Sequence, residues 1–167
     1  MSGKLTELIE NGGFEAGVLA PWTVVAGTVV ATSAARAHSG DFVASIGPNA
    51  ILRQVIRRGL TDEKVYRLSG ALSDNGSGSI DIPENPTTLV RFQFINEDGD
   101  ILETFTKKFN RLTIPENTEG NYRVFNLLAK SPDKTVGAIV SIETAADGLQ
   151  NNTIFADDFS LIQENDN

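Results

Sequence analysis

The chain has 167 residues, of which 22 are acidic and 14 are basic, so its formal net charge is −8. It contains no cysteine and one histidine, His38, which excludes disulfide frameworks, thiolate metal sites and cysteine nucleophiles. Nucleic acid is not expected as a partner, because binding to the phosphate backbone needs clustered lysines and arginines. An apolar fraction of 40% suffices for one core. We predict one domain over residues 1–163 and a solvated tail at 164–167.

The N-terminus shows no basic region followed by an apolar run, so no secretory signal is visible, and either the chain is made without one or the sequence begins after one. The stretch from Val18 to Ala35 carries no charge, as a membrane span would. It contains Pro21, Gly27 and several serines and threonines, however, and its apolar residues are largely β-branched. The stretch therefore predicts strands and turns, and no insertion into a membrane is expected.

Strand signals follow one another along the whole chain. The clearest alternation places Val90, Phe92 and Phe94 on one face, with Arg91 and Gln93 on the other. In chain order, strands are predicted at 22–26, 28–32, 42–46, 51–57, 65–73, 90–94, 101–109, 122–129, 138–143 and 154–162. Residues 74–88 are rich in Gly and Ser and predict a functional or mobile loop. About ten short strands predict an all-β fold, an antiparallel β-sandwich or jelly roll.

Four local patterns occur in a fixed order across almost the whole chain. They are NGGFE at 11–15 with APW at 20–22, AHSG at 37–40, LRQV at 52–55, and FADDFSL at 155–161. Together they resemble the galactose-binding-like jelly rolls of carbohydrate-binding modules, especially families 4, 9 and 22. The opening through Trp22 also resembles the domain that precedes collagen-like triple repeats in surface proteins of spore-forming bacteria, although no Gly-X-Y repeat follows here.

The resemblance implies a structural calcium ion. Its ligands would be the side chains of Glu15 and Asp157 together with backbone carbonyls near Gly13, His38 and Ser39. A jelly roll brings its first and last strands together, so the two carboxylates can meet. They repel each other unless a cation lies between them, and calcium takes six to eight oxygen ligands, including carbonyls.

Alternation along the last strand favours Asp157 over Asp158 as the calcium ligand. Phe155, Asp157, Phe159 and Leu161 are expected to share one apolar face, with Asp158 pointing outward. A carboxylate in an apolar row is costly unless it is paired or bound to a metal. The alternative is that Asp157 accepts hydrogen bonds from the turn at 11–14 with no metal present.

Aromatic platforms for sugar rings are scarce in this sequence. Trp22 and Tyr66 are expected in the core, and stacking on exposed aromatic rings is the main attraction for sugar faces in water. The remaining candidate for ligand binding is a polar row on a concave sheet, which can hydrogen-bond sugar hydroxyls. Its members would be Arg53, Arg91, Gln93, Tyr122 and Asn126. The same row could also be an ordinary solvated face.

Two functions follow from these observations. The first is a non-catalytic, calcium-stabilised carbohydrate-binding module with a glycan or polysaccharide as its partner. The second is a structural or assembly domain of a bacterial surface, spore coat or phage-like particle, packed as a homo-oligomer. We expect a location outside the cell or on a cell or spore surface, although no signal peptide is visible and a cytoplasmic location stays open. An enzyme is not predicted, because His38 stands alone and no nucleophile elbow occurs.

Overall fold

The computed structural model describes residues 5–35, 37–73, 86–109, 118–119, 122–146 and 153–165. Within them the chain forms strands and no helix, which confirms the all-β prediction. The strands are β1 (Thr23–Ala26), β2 (Val29–Ser33), β3 (Phe42–Ile46), β4 (Ile51–Ile56), β5 (Val65–Ser73), β6 (Thr88–Ile95), β7 (Ile101–Phe109), β8 (Thr118–Glu119), β9 (Tyr122–Lys130), β10 (Gly137–Thr144) and β11 (Ile154–Gln163). All ten predicted strands are present, and only the two-residue β8 was not predicted. The loop predicted at 74–88 lies mostly outside the described residues.

The strands form two antiparallel sheets. The five-stranded sheet has the order β1-β4-β10-β6-β7, and the six-stranded sheet has the order β2-β3-β11-β5-β9-β8. The chain passes repeatedly from one sheet to the other, as between β1 and β2 or between β9 and β10. Each sheet therefore contains strands that are distant in sequence, and both sheets contribute one apolar face to a shared core.

The core between the sheets follows the alternation seen in the sequence. Val90, Phe92 and Phe94 of β6 are fully buried. Trp22 is buried as expected, and its Nε1 donates a hydrogen bond to the carbonyl of Asn11 at 3.1 Å. Tyr66 is also buried as expected. No Trp, Tyr or Phe of the chain is exposed.

The uncharged stretch from Val18 to Ala35 forms β1 and β2, as the sequence predicts. These are the outermost strands on one side of the two sheets. Among the residues that the structure describes, no helix is long and apolar enough to cross a membrane.

A β-bulge interrupts the last strand. Asp157 pairs with Ala71 and Ser160 pairs with Ser69, so β11 contains one more residue than β5 at this point. Asp158 has a φ of 52°. The expectation that Phe155, Asp157, Phe159 and Leu161 share one face is therefore wrong. Phe159 and Leu161 join the core between the sheets, whereas Phe155 packs in a separate cluster with Val43, Ala71 and Tyr122.

The end of β11 remains attached to the sheet. The backbone N–H of Glu164 donates to the carbonyl of Val65 at 2.8 Å. The Glu164 carboxylate also forms an ion pair with Arg67 at 2.6 Å. Glu164, which the sequence assigned to the solvated tail, therefore belongs to the folded domain.

Candidate functional site

The first candidate site surrounds the bulge of β11. The connection between β2 and β3 carries His38 and Ser39 and approaches this strand. Asp157 is fully buried, and its Oδ2 accepts a hydrogen bond from the Ser39 backbone N–H at 3.1 Å. Its Oδ1 accepts the backbone N–H of Asp158 at 2.8 Å. The alternative in which the turn at 11–14 supplies these donors is therefore not what the described residues show.

Asp158 also faces the connection between β2 and β3. Its Oδ2 lies 2.6 Å from His38 Nδ1, and its Oδ1 accepts a hydrogen bond from the Ser39 hydroxyl at 2.7 Å. The expectation that Asp158 points outward to solvent is thus wrong. The bulge explains the difference, because the extra residue turns its side chain toward the loop.

Glu15 binds the end of the same connection. Its carboxylate accepts the backbone N–H of Asp41 at 3.0 Å and that of Phe42 at 3.1 Å. Gly40 has a φ of 63°, and a β-carbon there would lie within 2.7 Å of both Glu15 oxygens, so glycine is favoured at this position. A β-carbon at Gly13 would lie 3.7 Å from Glu15 Cγ and 3.9 Å from Asp157 Oδ1.

The structure therefore brings the five residues predicted for the metal site to one place. Asp157 and Ser39 are joined by a hydrogen bond, His38 is adjacent, and Glu15 and Asp157 both flank Gly13. Within the described parts of the chain, no three Asp, Glu or His side chains form a group that could hold a metal ion. A cation here would accordingly need backbone carbonyls and water as further ligands.

Burial dominates the electrostatics of this cluster. It raises the pKa of Asp157 to about 6, with a hydrogen bond from the Ser39 backbone opposing the shift and the charge of Asp158 adding to it. Burial likewise raises the pKa of Tyr122, and the charges of Asp157 and Asp158 raise it further. The Tyr122 ring contacts the His38 ring edge-on, with 5.3 Å between centroids. A cation would favour the charged form of Asp157, which burial otherwise disfavours.

The second candidate site is the outer face of the five-stranded sheet. Strand register aligns one polar row across all five strands. Arg53 pairs with Thr23 on one side and with Ser141 on the other, and Ser141 pairs in turn with Arg91. Arg91 then pairs with Thr106 at the far edge. Every member of this row has a side chain that can bond to a hydroxyl group.

The neighbours of the row set its charge. Arg91 Nε lies 2.5 Å from Glu143 Oε2, whereas Arg53 is exposed and forms no ion pair within the described residues. Ser141 is only 6% exposed, because it lies between the two arginines. In the adjacent row, Gln93 donates a hydrogen bond to the Thr104 hydroxyl at 3.3 Å.

Two residues predicted for this face lie elsewhere. Tyr122 and Asn126 belong to β9, which pairs with β5 in the six-stranded sheet, so their prediction as neighbours of Arg91 and Gln93 is wrong. Tyr122 is also buried, at 2% exposure. Alternation shows which residues of a strand share a face, but it does not show to which sheet the strand belongs.

Sequence reasoning did not identify the partners that complete the row. Thr23, Ser141 and Thr106 lie between or beside the arginines only because of the strand register. Ser141 and Thr106 directly follow the core residues Val140 and Phe105 in the chain, so alternation places them on the outer face of their strands. That signal was present in the sequence, but the pairing order β1-β4-β10-β6-β7 was not.

Comparison with known proteins identifies the fold. No protein-family model matches the sequence, and no curated protein matches it. Similar solved structures include the xylan-binding CBM22-1 domain of Paenibacillus barcinonensis Xyn10C, with 13% identity, full coverage of both chains and a TM-score of 0.65. TmCBM61, solved with β-1,4-galactotriose, has 16% identity and a TM-score of 0.62, with 95% of this chain and 99% of that chain covered.

A bacteriophage protein shares the same architecture. The enzymatically active domain of tailspike protein 4 from bacteriophage CBA120 has 15% identity and a TM-score of 0.69. The match covers 95% of this chain but 21% of the tailspike chain. At such identities the likeness concerns the fold. The chain has the β-sandwich fold of carbohydrate-binding modules, which confirms the predicted jelly-roll resemblance.

Proposed function

We propose that this protein is a non-catalytic glycan-binding module that uses the outer face of its five-stranded sheet. The observation that carries the proposal is the polar row from Thr23 through Arg53, Ser141 and Arg91 to Thr106. The row crosses a sheet about five strands wide, which at about 4.8 Å per strand spacing spans roughly 19 Å. That length suits an extended polymer better than a single small molecule.

The chemistry of this face is hydrogen bonding rather than stacking. None of the aromatic residues is exposed, so no ring can serve as a platform for a sugar face. Arg53 and Arg91 offer guanidinium donors, Gln93 offers both a donor and an acceptor, and the row adds hydroxyl groups. Sugar hydroxyls can donate hydrogen bonds to such groups or accept hydrogen bonds from them.

The test is binding to a panel of polysaccharides by affinity gel electrophoresis and calorimetry. We expect at least one polysaccharide to bind, and the double variant Arg53→Ala/Gln93→Ala to bind it at least about tenfold more weakly. Hydrogen bonds to charged groups contribute about 1.5–3 kcal/mol each, which corresponds to that loss.

The matched control is Asn126→Ala, which removes an exposed polar side chain from the opposite sheet. It should bind like the unmodified protein. If no polysaccharide of the panel binds, the proposal is contradicted. An equal loss of binding in the Asn126 and Arg53/Gln93 variants contradicts it as well.

We also propose that a calcium ion stabilises the cluster at Glu15 and Asp157. Three observations support it: Asp157 is fully buried, its pKa is raised, and the Asp158 carboxylate lies beside it. A carboxylate has about four lone-pair sites, and each Asp157 oxygen accepts one described hydrogen bond. Asp157 thus retains acceptor capacity for a cation.

A thermal melt tests the calcium proposal. The protein should melt at a higher temperature in calcium than in chelator, since an ion that binds only the folded state stabilises it by mass action. Glu15→Gln should reduce that difference. Superimposable melting curves in calcium and in chelator at neutral pH contradict the proposal.

The second candidate, an assembly domain, is favoured by the edge formed by β1 and β2. Both outermost strands come from the uncharged stretch, and Val24, Val25 and Val30 are exposed there. The opposite outermost strand of the five-stranded sheet, β7, carries Glu103 and two lysines instead. Charges protect an edge strand against pairing with another chain, and β1 and β2 lack them.

A further inference from the structure

We propose that the glycan recognised by the outer face of the five-stranded sheet is acidic, with anionic groups on its sugar units. The inference rests on the glycan-binding function proposed above and names the class of glycan. It is carried by an excess of cations on this one face of a strongly acidic protein.

Register and alternation assign the charged residues of this face. They are Arg53 on β4, Arg91 on β6, Lys108 on β7 and Glu143 on β10. Three cations against one carboxylate give the face a formal charge of +2, whereas the whole chain carries −8. The acidic residues that produce the chain's net charge therefore lie mainly elsewhere.

Two further arginines near this face are left out of that count. Arg58 forms an ion pair with Glu10 at 2.5 Å. Arg57 lies beside the turn between β6 and β7, since a β-carbon at Gly99 would be 3.9 Å from Arg57 Nη2, and that turn contains three carboxylates. Arg58 is thus balanced by Glu10, and the turn beside Arg57 holds more carboxylates than cations, so the cation excess is confined to the strands of this face.

The two arginines lie on one face, close enough to contact the same ligand. Arg53 and Arg91 occupy the two strands that flank Ser141, so their backbones are about 10 Å apart. No carboxylate of the described chain pairs with Arg53, and the residue between the arginines is an uncharged serine. Arg53 and Arg91 are like charges on one face, and an anion bound beside them would reduce their mutual repulsion.

The guanidinium group determines the preferred partner. Its planar fork matches the two oxygens of a carboxylate or the oxygens of a sulfate, and it is always protonated. An anionic sugar unit near Ser141 would therefore meet Arg53, which has no carboxylate partner in the described chain, and Arg91, which it would share with Glu143. A neutral glycan would meet the same arginines without that compensation.

The experiment compares polymers that differ only in charge. The probes are polygalacturonate with its methyl ester, and dextran sulfate with neutral dextran, together with neutral xylan and galactan. We expect at least one anionic polymer to bind and its neutral counterpart to bind at least tenfold more weakly. Arg53→Gln should weaken binding of the anionic polymer at least tenfold, and the melting temperature of the protein should stay unchanged.

Lys134→Gln is the matched control, because it removes the same charge from an exposed turn away from this face. It should leave the affinity within about twofold. Equal binding of a polymer and its neutral counterpart overturns the inference but leaves glycan binding intact. Equal loss in the Arg53 and Lys134 variants, or equally tight binding of polyglutamate, also overturns it. Silence toward every polymer contradicts the proposed function itself.

Discussion

Asp157 shows at the level of one residue how burial and chemistry interact in this protein. Its side chain is fully buried, yet it accepts only the backbone N–H groups of Ser39 and Asp158 among the described donors. Burial outweighs these hydrogen bonds, so the pKa of Asp157 rises to about 6. At neutral pH the side chain is charged in an environment that favours its neutral form.

This shift predicts how stability depends on pH in the absence of calcium. The folded state binds the Asp157 proton more tightly than the unfolded state does. Protonation of Asp157 therefore stabilises the folded state, and this stabilisation is complete below about pH 4. It is lost as the pH rises through about 6, and the loss is on the order of 2–3 kcal/mol. The measurement is the free energy of unfolding in chelator between pH 4 and 7, for the unmodified protein and for Asp157→Asn.

The Asp157→Asn variant should show a smaller fall in stability over this interval. Asp133→Asn changes an exposed carboxylate in the turn before β10. The free energy of unfolding of this variant should fall with pH as steeply as that of the unmodified protein. Equal slopes in the Asp157 variant and the unmodified protein contradict the assignment of this pH dependence to Asp157.

At the scale of elements, β11 shows where a correct strand prediction failed in detail. The strand lies where the sequence places it, at Ile154–Gln163. The bulge at Asp158 nevertheless reverses the alternation, so Phe155 and Phe159 contact different clusters. A bulge depends on the partner strand, because the extra residue is defined only against β5.

The edge formed by β1 and β2 carries the prediction that separates the two candidate functions. If the protein assembles through this edge, light scattering should show a dimer or larger species, and Val30→Lys should convert it to a monomer. A lysine on an exposed edge opposes strand pairing between chains. Val136→Lys changes an exposed valine in the turn between β9 and β10 and should leave the assembly unchanged. If the unmodified protein is monomeric at high concentration, that result contradicts assembly through this edge.

At the scale of the whole molecule, charge is distributed unevenly between the faces. The carboxylates of Glu15, Asp157 and Asp158 gather where the connection between β2 and β3 meets β11. Cations exceed carboxylates on the outer face of the five-stranded sheet. The first arrangement suits a cation and the second suits an anion, so one fold supports both proposals without bringing the two sites together.

The sequence by itself determined the all-β class, the ten longer strands, and the core positions of Trp22 and Tyr66. It also identified the five residues that meet around Asp157. These properties depend on local alternation, turn residues and a resemblance that covers most of the chain. The strands and core positions can be recognised without knowing which strands are neighbours, and the five-residue cluster follows from the topology that the resemblance implies.

Only the tertiary structure decided which side chains share a surface. Tyr122 and Asn126 alternate like binding residues, but β9 belongs to the other sheet. Arg53 and Arg91 are 38 positions apart in the sequence and lie in one row because β10 separates their strands. The bulge at Asp158 likewise exists only against its partner strand. Pairing between distant strands is a non-local property, and period-two alternation is the same for every choice of partner.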